Sequence, residues 1–228
     1  MSLTDFPSAK PIVLDPLHEA DACVIWLHGL GADGHDFEPI VPELGLPPEH
    51  GVRFVFPNAP TRQVTVNLGQ TMTAWYDIYQ LDLLAQVDWS GIVESVEYVH
   101  QLIAEQLEKG IASDRILLAG FSQGGVIALY SALSFQSPLA GVLAMSTYFP
   151  GFEQAPAELS LKQPQSCPVF FGHGTSDPIC PFAAAETSRE VLRRLGLAVE
   201  WHAYPMAHQV CLDEIADISR FIRQRLFA

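Results

Sequence analysis

Short apolar runs alternate with longer amphipathic stretches along most of this chain. The run Cys-Val-Ile-Trp-Leu at 23–27 is apolar at every position. A run without polar alternation is typical of a strand that is covered on both faces, as in a parallel sheet. Five further short runs predict strands at 52–56, 116–119, 141–145, 169–171 and 199–203.

Between these runs the apolar positions follow a helical period. Residues 91–109 are predicted to form a helix, with Ser90 as its N-cap and Gly110 as its stop. Two later helices are predicted at 183–195 and 212–226. Strands that alternate with helices predict an α/β domain with a mostly parallel sheet and right-handed crossovers. The apolar stripe of the first helix consists of Ile92, Val96, Val99, Ile103 and either Gln106 or Leu107.

The chain shows no sign of division into several domains. Residues 1–20 are polar and contain three prolines, so they are predicted to form an N-terminal arm or an edge strand. Residues 21–228 contain no internal repeat and no linker rich in Pro, Gly or Ser. They are therefore predicted to fold as one domain.

Charge and composition narrow the class of partner and compartment. The 228 residues carry 12 Lys and Arg against 26 Asp and Glu, a formal net charge of −14. Such a chain repels phosphate backbones and anionic lipids, so no nucleic-acid partner is expected. The longest apolar run, 139–145, is far shorter than the ~18 residues of a membrane span, and none is expected. Four cysteines without a C-x-x-C pair and a start without a signal-peptide pattern predict a cytoplasmic protein.

The strongest chemical signal is the run Gly120-Phe121-Ser122-Gln123-Gly124. It follows a predicted strand and precedes an apolar helical segment, which is the context that the pattern G-x-S-x-G requires. Glycine on both sides permits a turn too tight for side chains, and this turn holds the serine hydroxyl at the end of the strand. Ser122 is therefore the candidate nucleophile. The alternative is a glycine-rich turn with a bystander serine.

A serine nucleophile needs a base, and the base needs an acid that orients it. Asp177 and His208 each follow a predicted strand, and the carboxyl ends of parallel strands meet at one edge of a sheet. The chain order Ser122, Asp177, His208 is the order expected of this architecture. His173, close to Asp177, is interpreted as a residue that shapes its loop by hydrogen bonding.

The glycine-containing loop His28-Gly29-Leu30-Gly31 lets the backbone approach a substrate. We assign the two oxyanion-hole donors to the backbone N–H groups of Leu30 and Gln123. The loop lacks the glycine spacing and the lysine of a phosphate cradle. No metal-ligand motif such as H-E-x-x-H is present, so neither a metal nor a cofactor is expected.

Together these motifs resemble the carboxylesterase/phospholipase family that includes the acyl-protein thioesterases. The resemblance begins near residue 22, runs to the end, and also includes the stretches Pro57-Asn58-Ala59-Pro60 and Trp75-Tyr76-Asp77. It implies that residues 21–228 form a single α/β-hydrolase catalytic domain, with a mostly parallel central sheet, helices on both faces and no large cap domain.

The same resemblance implies a serine carboxylesterase that uses Ser122, His208 and Asp177 as a triad and forms an acyl-enzyme intermediate. The implied substrate is an acyl ester or an acylated thiol: a small ester, a lysophospholipid or an acyl-protein thioester. The alternative function is a non-catalytic α/β-hydrolase that binds a ligand or a partner, although binding alone needs none of the three triad residues. The predicted assembly is a monomer or a homodimer.

The segment from residue 64 to residue 89 is dense in apolar residues but has no clear strand or helix period. One interpretation is a plain cover over the edge of the sheet. The other is a wall for an acyl groove beside Ser122, in which Leu68 and Trp75 contact the acyl chain.

Overall fold

The computed structural model describes residues 10–80, 83, 86–162 and 167–227. Within these residues, seven strands form one sheet. They are β1 (Ile12–Leu14), β2 (Ala22–Leu27), β3 (Val52–Phe56), β6 (Ile116–Phe121), β7 (Gly141–Met145), β8 (Val169–Gly174) and β9 (Val199–Tyr204), while β4 (Thr61–Val64) and β5 (Gln70–Thr73) form the separate hairpin described below. Their order in the sheet is β1-β3-β2-β6-β7-β8-β9. Only β1 pairs antiparallel to its neighbour, and the other neighbours pair in parallel, so the predicted mostly parallel sheet is confirmed.

All six predicted strands are present, and burial explains why their patterns were clear. Every residue of β2, β7 and β8 is buried, as expected of central strands that are covered on both faces. Strand β8 extends beyond the predicted apolar run at 169–171 and ends at Gly174. The polar His173 in this extension is also buried. The antiparallel strand β1 lies at one edge of the sheet, while residues 1–9 lie outside the described part of the chain.

Helices cover both faces of the sheet, as predicted. The helices are α1 (Trp89–Glu108), α2 (Gln123–Ser134), α3 (Phe182–Arg194) and α4 (Leu212–Leu226). The buried side chains of α1, α2 and α3 belong to one hydrophobic core. Those of α4 belong to a second core, together with Phe37 and Leu44 from the segment that follows β2.

Helix α1 begins two residues earlier than the sequence predicted. The carboxylate of Asp88 accepts a hydrogen bond from the backbone N–H of Gly91 (3.0 Å), so Asp88 and not Ser90 is the N-cap. Gly110 follows the helix with a φ of +90°, which agrees with its predicted role as the stop. Gln106 is buried on the predicted stripe, whereas Leu107 is 37% exposed.

The segment between β3 and α1 contains a hairpin that sequence analysis missed. Strands β4 (Thr61–Val64) and β5 (Gln70–Thr73) pair antiparallel, with Thr61 opposite Thr73. The strands are short and largely polar, so their pattern did not stand out against the neighbouring apolar residues. Of the apolar residues in this segment, Leu81 and Leu84 lie outside the described residues.

Candidate active site

Ser122 lies in the tight turn between β6 and α2. Its φ of 53° and ψ of −120° are unusual for a residue with a side chain and cost about 1–3 kcal/mol. Strand β7 and its following loop hold this strained backbone in place. The N–H of Ser122 donates to the carbonyl of Met145 (2.9 Å), and the hydroxyl of Thr147 donates to the carbonyl of Ser122 (2.6 Å).

The two glycines that flank the serine are required by space. A Cβ atom at Gly120 would collide with the backbone of Gly124, and one at Gly124 would lie 2.5 Å from the carbonyl oxygen of Leu27. Strand, turn and helix therefore approach one another as closely as their backbones allow. This agrees with the steric reason that the sequence suggested for G-x-S-x-G.

Asp177 and His208 are brought together at the same edge of the sheet. The Oδ2 atom of Asp177 lies 2.7 Å from Nδ1 of His208, and Oδ1 accepts from the backbone N–H groups of Ile179 and Cys180 (2.9 Å each). A carboxylate oxygen can only accept, so Nδ1 carries the proton and Nε2 keeps its lone pair. His208 and Ser122 line the same cavity.

His173 supports the loop that carries Asp177. Its ring is completely buried, and its Nε2 donates to the carbonyl of Cys180 (2.9 Å). Burial lowers the pKa of His173, which favours the neutral ring. The prediction that this histidine shapes the loop is confirmed.

The glycine-containing loop after β2 is held by its own buried histidine. Nδ1 of His28 bonds to the carbonyl of Gly29 (2.7 Å), while Nε2 accepts from the N–H of Ala59 (3.0 Å). Burial lowers the pKa of His28, so the ring is a neutral bridge between two loops. The N–H of Gly31 donates to the carbonyl of Thr73 (2.8 Å), which joins the loop to strand β5 of the hairpin.

The side chain of Gln123 joins the serine turn to the segment after β5. Its Oε1 accepts from the backbone N–H of Trp75 (2.8 Å), and its Nε2 donates to the carbonyl of Tyr76 (2.6 Å). These two bonds form a clamp that sequence analysis missed, because its only local signal is one polar side chain at the start of an apolar helix. Both predicted oxyanion-hole residues, Leu30 and Gln123, line the cavity that contains Ser122.

The cavity around Ser122 has a volume of about 300 Å³. One part of its wall is largely apolar and comes from three separate segments, namely the chain between β5 and α1, the loop after β7 and the loop after β8. The residues are Tyr76, Ile78, Leu83, Tyr148, Ile179 and Cys180. The segment 64–89, which sequence analysis considered as a wall, contributes half of these residues, and the residues from the other two loops were missed because no single stretch contains them.

The two residues predicted to contact an acyl chain do not line this cavity, and that prediction is corrected. Leu68 stands in the turn of the hairpin with a φ of 57° and is 96% exposed. Trp75 is fully buried beneath the site, where its ring packs against His28 (5.2 Å between centroids) and its Nε1 donates to the His28 carbonyl (2.9 Å). The segment does form part of the wall, but through its neighbours Tyr76 and Ile78.

The structure also bears on metal binding, on membrane-spanning helices and on the state of the cysteines. In the part of the chain that the structure describes, no group of three or more His, Cys, Asp or Glu residues could hold a metal ion. Nor does any described helix have both the length and the apolar character that crossing a bilayer requires.

The four cysteines are free thiols, and burial raises the pKa of Cys180, beside the site, to about 12. Free cysteines agree with the sequence interpretation.

Comparison with known proteins decides the family. The model of the phospholipase/carboxylesterase family matches residues 8–226. The chain belongs to this family. Among its family relatives are the acyl-protein thioesterase 1 of Neurospora crassa, 35% identical over 95% of this chain and 91% of the relative, and that of Gibberella zeae, 34% identical over 95% of each.

Solved structures give the same result for the fold. SOBER1 of Arabidopsis thaliana superimposes with a TM-score of 0.81 at 29% identity, over 90% of this chain and 99% of that one. Acyl-protein thioesterase 2 of Zea mays has a TM-score of 0.82 at 24% identity, over 95% and 99%, which is evidence of a shared fold. The α/β-hydrolase fold implied by the motifs is confirmed, and this member of the phospholipase/carboxylesterase family is a hydrolase of the esterase and thioesterase type.

Proposed function

We propose that this chain is a serine carboxylesterase that hydrolyses acyl esters and thioesters. Ser122 is the nucleophile, His208 the general base and Asp177 the acid that orients it. The backbone N–H groups of Leu30 and Gln123 form the oxyanion hole. The observation that carries the proposal is the 2.7 Å hydrogen bond that Nδ1 of His208 donates to Asp177, at a cavity that Ser122, with its strained backbone, also lines.

The reaction follows from these positions. Nε2 of His208 removes the hydroxyl proton of Ser122 as Oγ attacks the acyl carbonyl carbon, and the two backbone N–H groups stabilise the oxyanion. Each such donor is typically worth about 2.7–4 kcal/mol in the transition state. The carbon–oxygen or carbon–sulfur bond breaks, and the alcohol or thiol leaves with the proton from His208. Water then hydrolyses the acyl-enzyme by the same route and releases the carboxylic acid.

The apolar part of the cavity wall is suited to the acyl chain. Ile78 and Ile179 are contributed by different loops and lie on the same cavity as Ser122. Burying one methylene group contributes about 0.8 kcal/mol when it is fully sheltered. Short- to medium-chain acyl groups are therefore the proposed substrates, and relatives named acyl-protein thioesterase 1 favour thioesters among them.

Replacing the nucleophile tests the proposal directly. Ser122→Ala is expected to lower kcat on p-nitrophenyl butyrate by roughly 10⁶, as for other triad enzymes. A fluorophosphonate probe should label the wild type at Ser122 and leave the variant unlabelled, while circular dichroism shows the same fold. Turnover by the variant at near wild-type rate would disprove the triad. A wild type that neither turns over nor is labelled would favour the non-catalytic binding protein.

A chain-length series tests the acyl wall. Ile78→Ala should lower kcat/KM for an eight-carbon ester by roughly tenfold, because the equivalent of about two buried methylene contacts is lost. Hydrolysis of the acetate ester should stay within a few-fold of the wild type. Leu68→Ala is the matched control, since Leu68 is apolar, belongs to the same segment and is exposed. Equal losses on both esters would show that Ile78 supports the fold instead of the acyl chain.

A further inference from the structure

A second cavity of about 410 Å³ adjoins the one that contains Ser122. The two cavities share Asp36, Phe121 and His208, so they meet at the imidazole. Ser122 lines only the first. The other lining residues of the second cavity come from the segment after β2 and from the loop that carries His208: Phe37, Pro39, Ile40, Glu43, Gln209 and Val210.

The proposed reaction divides a substrate between these two cavities. The acyl group becomes bonded to Ser122, so it occupies the cavity with the serine and the apolar wall. The leaving group receives its proton from Nε2 of His208, so it must depart on the side of the imidazole. That side is where the second cavity begins. Its volume falls within the ~300–1,000 Å³ typical of ligand pockets.

The second cavity carries negative charge that the described chain does not neutralise. Asp36 and Glu43 line it, and none of its lining residues is a lysine or arginine. Among the described residues neither carboxylate belongs to an ion pair; nearby, Glu38 is bonded to His35 (2.7 Å). Asp36 and Glu43 are both exposed to solvent, and partial burial of the Asp36 carboxyl group, with a contribution from Asp33, raises its pKa. A cation bound here would supply the charge partner that Asp36 and Glu43 lack.

We propose that the second cavity is a leaving-group subsite for a cationic thiol, namely the acylated cysteine of a peptide segment with lysine or arginine beside it. This inference rests on the proposed esterase function. The aliphatic stem of the basic residue would lie along Phe37, Ile40 and Val210, and its charged end would face Asp36 and Glu43. A leaving group with a phosphate and no cation would meet the same carboxylates with the wrong charge, so the site favours basic acylated peptides over anionic lysophospholipids.

The test uses three peptides with the same octanoylated cysteine, flanked by lysine, by glutamine or by glutamate. For the wild type at low ionic strength, kcat/KM should be at least about tenfold higher for the lysine peptide than for the glutamate peptide. The ratio should fall towards one as salt is added, because salt screens exposed charges. A wild type without this preference, or one that hydrolyses the anionic lysophosphatidylglycerol faster than the lysine peptide, would overturn the subsite.

The local charges must be separated from the overall charge of −14. The double variant Asp36→Asn/Glu43→Gln should reduce the lysine-to-glutamate ratio to about twofold. The double variant Glu49→Gln/Asp114→Asn makes the same change in net charge, but its residues precede β3 and β6 at the opposite edge of the sheet. This control should keep the wild-type ratio. Equal ratios in the two double variants would mean that the whole field of the protein, and not the second cavity, selects the peptide.

The glutamine peptide distinguishes failure of the subsite from failure of the proposed function. If the wild type hydrolyses it, Ser122→Ala does not, and the charge ratio is one, the esterase function stands and the subsite is wrong. If the wild type hydrolyses none of the three peptides and no p-nitrophenyl ester, the proposed function itself is wrong. Because each ratio is taken within one variant, a general loss of activity or stability does not affect it.

Discussion

Asp177 and Glu214 are buried carboxyl groups near strand β8, and they differ in their hydrogen-bond partners. Asp177, beyond the carboxyl end of the strand, accepts hydrogen bonds from two backbone N–H groups and from His208. Glu214, in the first turn of α4, lies against Gly172 in the same strand. Neither of its carboxyl oxygens has a hydrogen-bond partner among the described residues.

The lack of hydrogen-bond donors at Glu214 leaves nothing among the described residues to stabilise its ionised form. Burial raises the pKa of Glu214 to about 8, with a smaller contribution from Asp217, so its carboxyl group is largely protonated at neutral pH. Asp177 is equally shielded from solvent, but three donors point at it. Two acids of similar burial therefore have different surroundings, with three hydrogen-bond donors at Asp177 and none among the described residues at Glu214.

Paired substitutions of the two acids give the largest expected contrast. Asp177→Asn should lower kcat on the glutamine peptide by roughly 10⁴, because the amide no longer holds His208 with its proton on Nδ1. Glu214→Gln should keep kcat within a few-fold, since the neutral amide resembles the protonated acid. Steady-state kinetics at pH 7 measures both. A comparable loss in Glu214→Gln would mean that Glu214 acts in the reaction and would end the contrast.

The pH dependence of stability gives a smaller effect with a definite sign. Below the ordinary pKa of 4.5, Glu214 is protonated in both the folded and the unfolded chain. Between 4.5 and about 8, the unfolded chain ionises first, so folding stability is lost as the pH rises. The slope from this one group is at most about 1.4 kcal/mol per pH unit.

Glu214→Gln removes this titration, so the stability of the variant relative to the wild type should increase from pH 5 to pH 8. Urea unfolding at several pH values measures the difference, in which the other titrating groups cancel. A difference that does not change with pH would show that Glu214 is ionised in the folded protein, and the comparison with Asp177 would lose its basis.

Much of the fold was predictable because the strand patterns are local. Strands β2, β6, β7 and β8 are read from runs of neighbouring residues, and their burial on both faces agrees with those runs. The start of α1 was not predictable in this way, because Ser90 and Asp88 are both residue types that favour the N-cap position. Asp88 also accepts a hydrogen bond from the N–H of Asp77 (2.8 Å), a tertiary contact without a local signal.

The candidate site also contains residues that the sequence predicted and residues that it did not. Sequence motifs predicted Ser122, Asp177 and His208, because each stands at a position that its strand or turn determines. The acyl wall was predicted incorrectly at Leu68, since apolar density does not reveal the direction in which a hairpin turn presents a side chain. The unpartnered Glu214 resembles an ordinary first-turn acid in the sequence, and only packing against Gly172 distinguishes it.

The clamp made by Gln123 has a consequence for how this enzyme can diversify. Its backbone is assigned to the chemistry, whereas its side chain holds the chain at Trp75 and Tyr76 that leads into the acyl wall. Every residue type except proline provides a main-chain amide, so a substitution at this position would remove the bonds to Trp75 and Tyr76 and keep the N–H beside Ser122. The main chain and the side chain of one residue can therefore be altered separately.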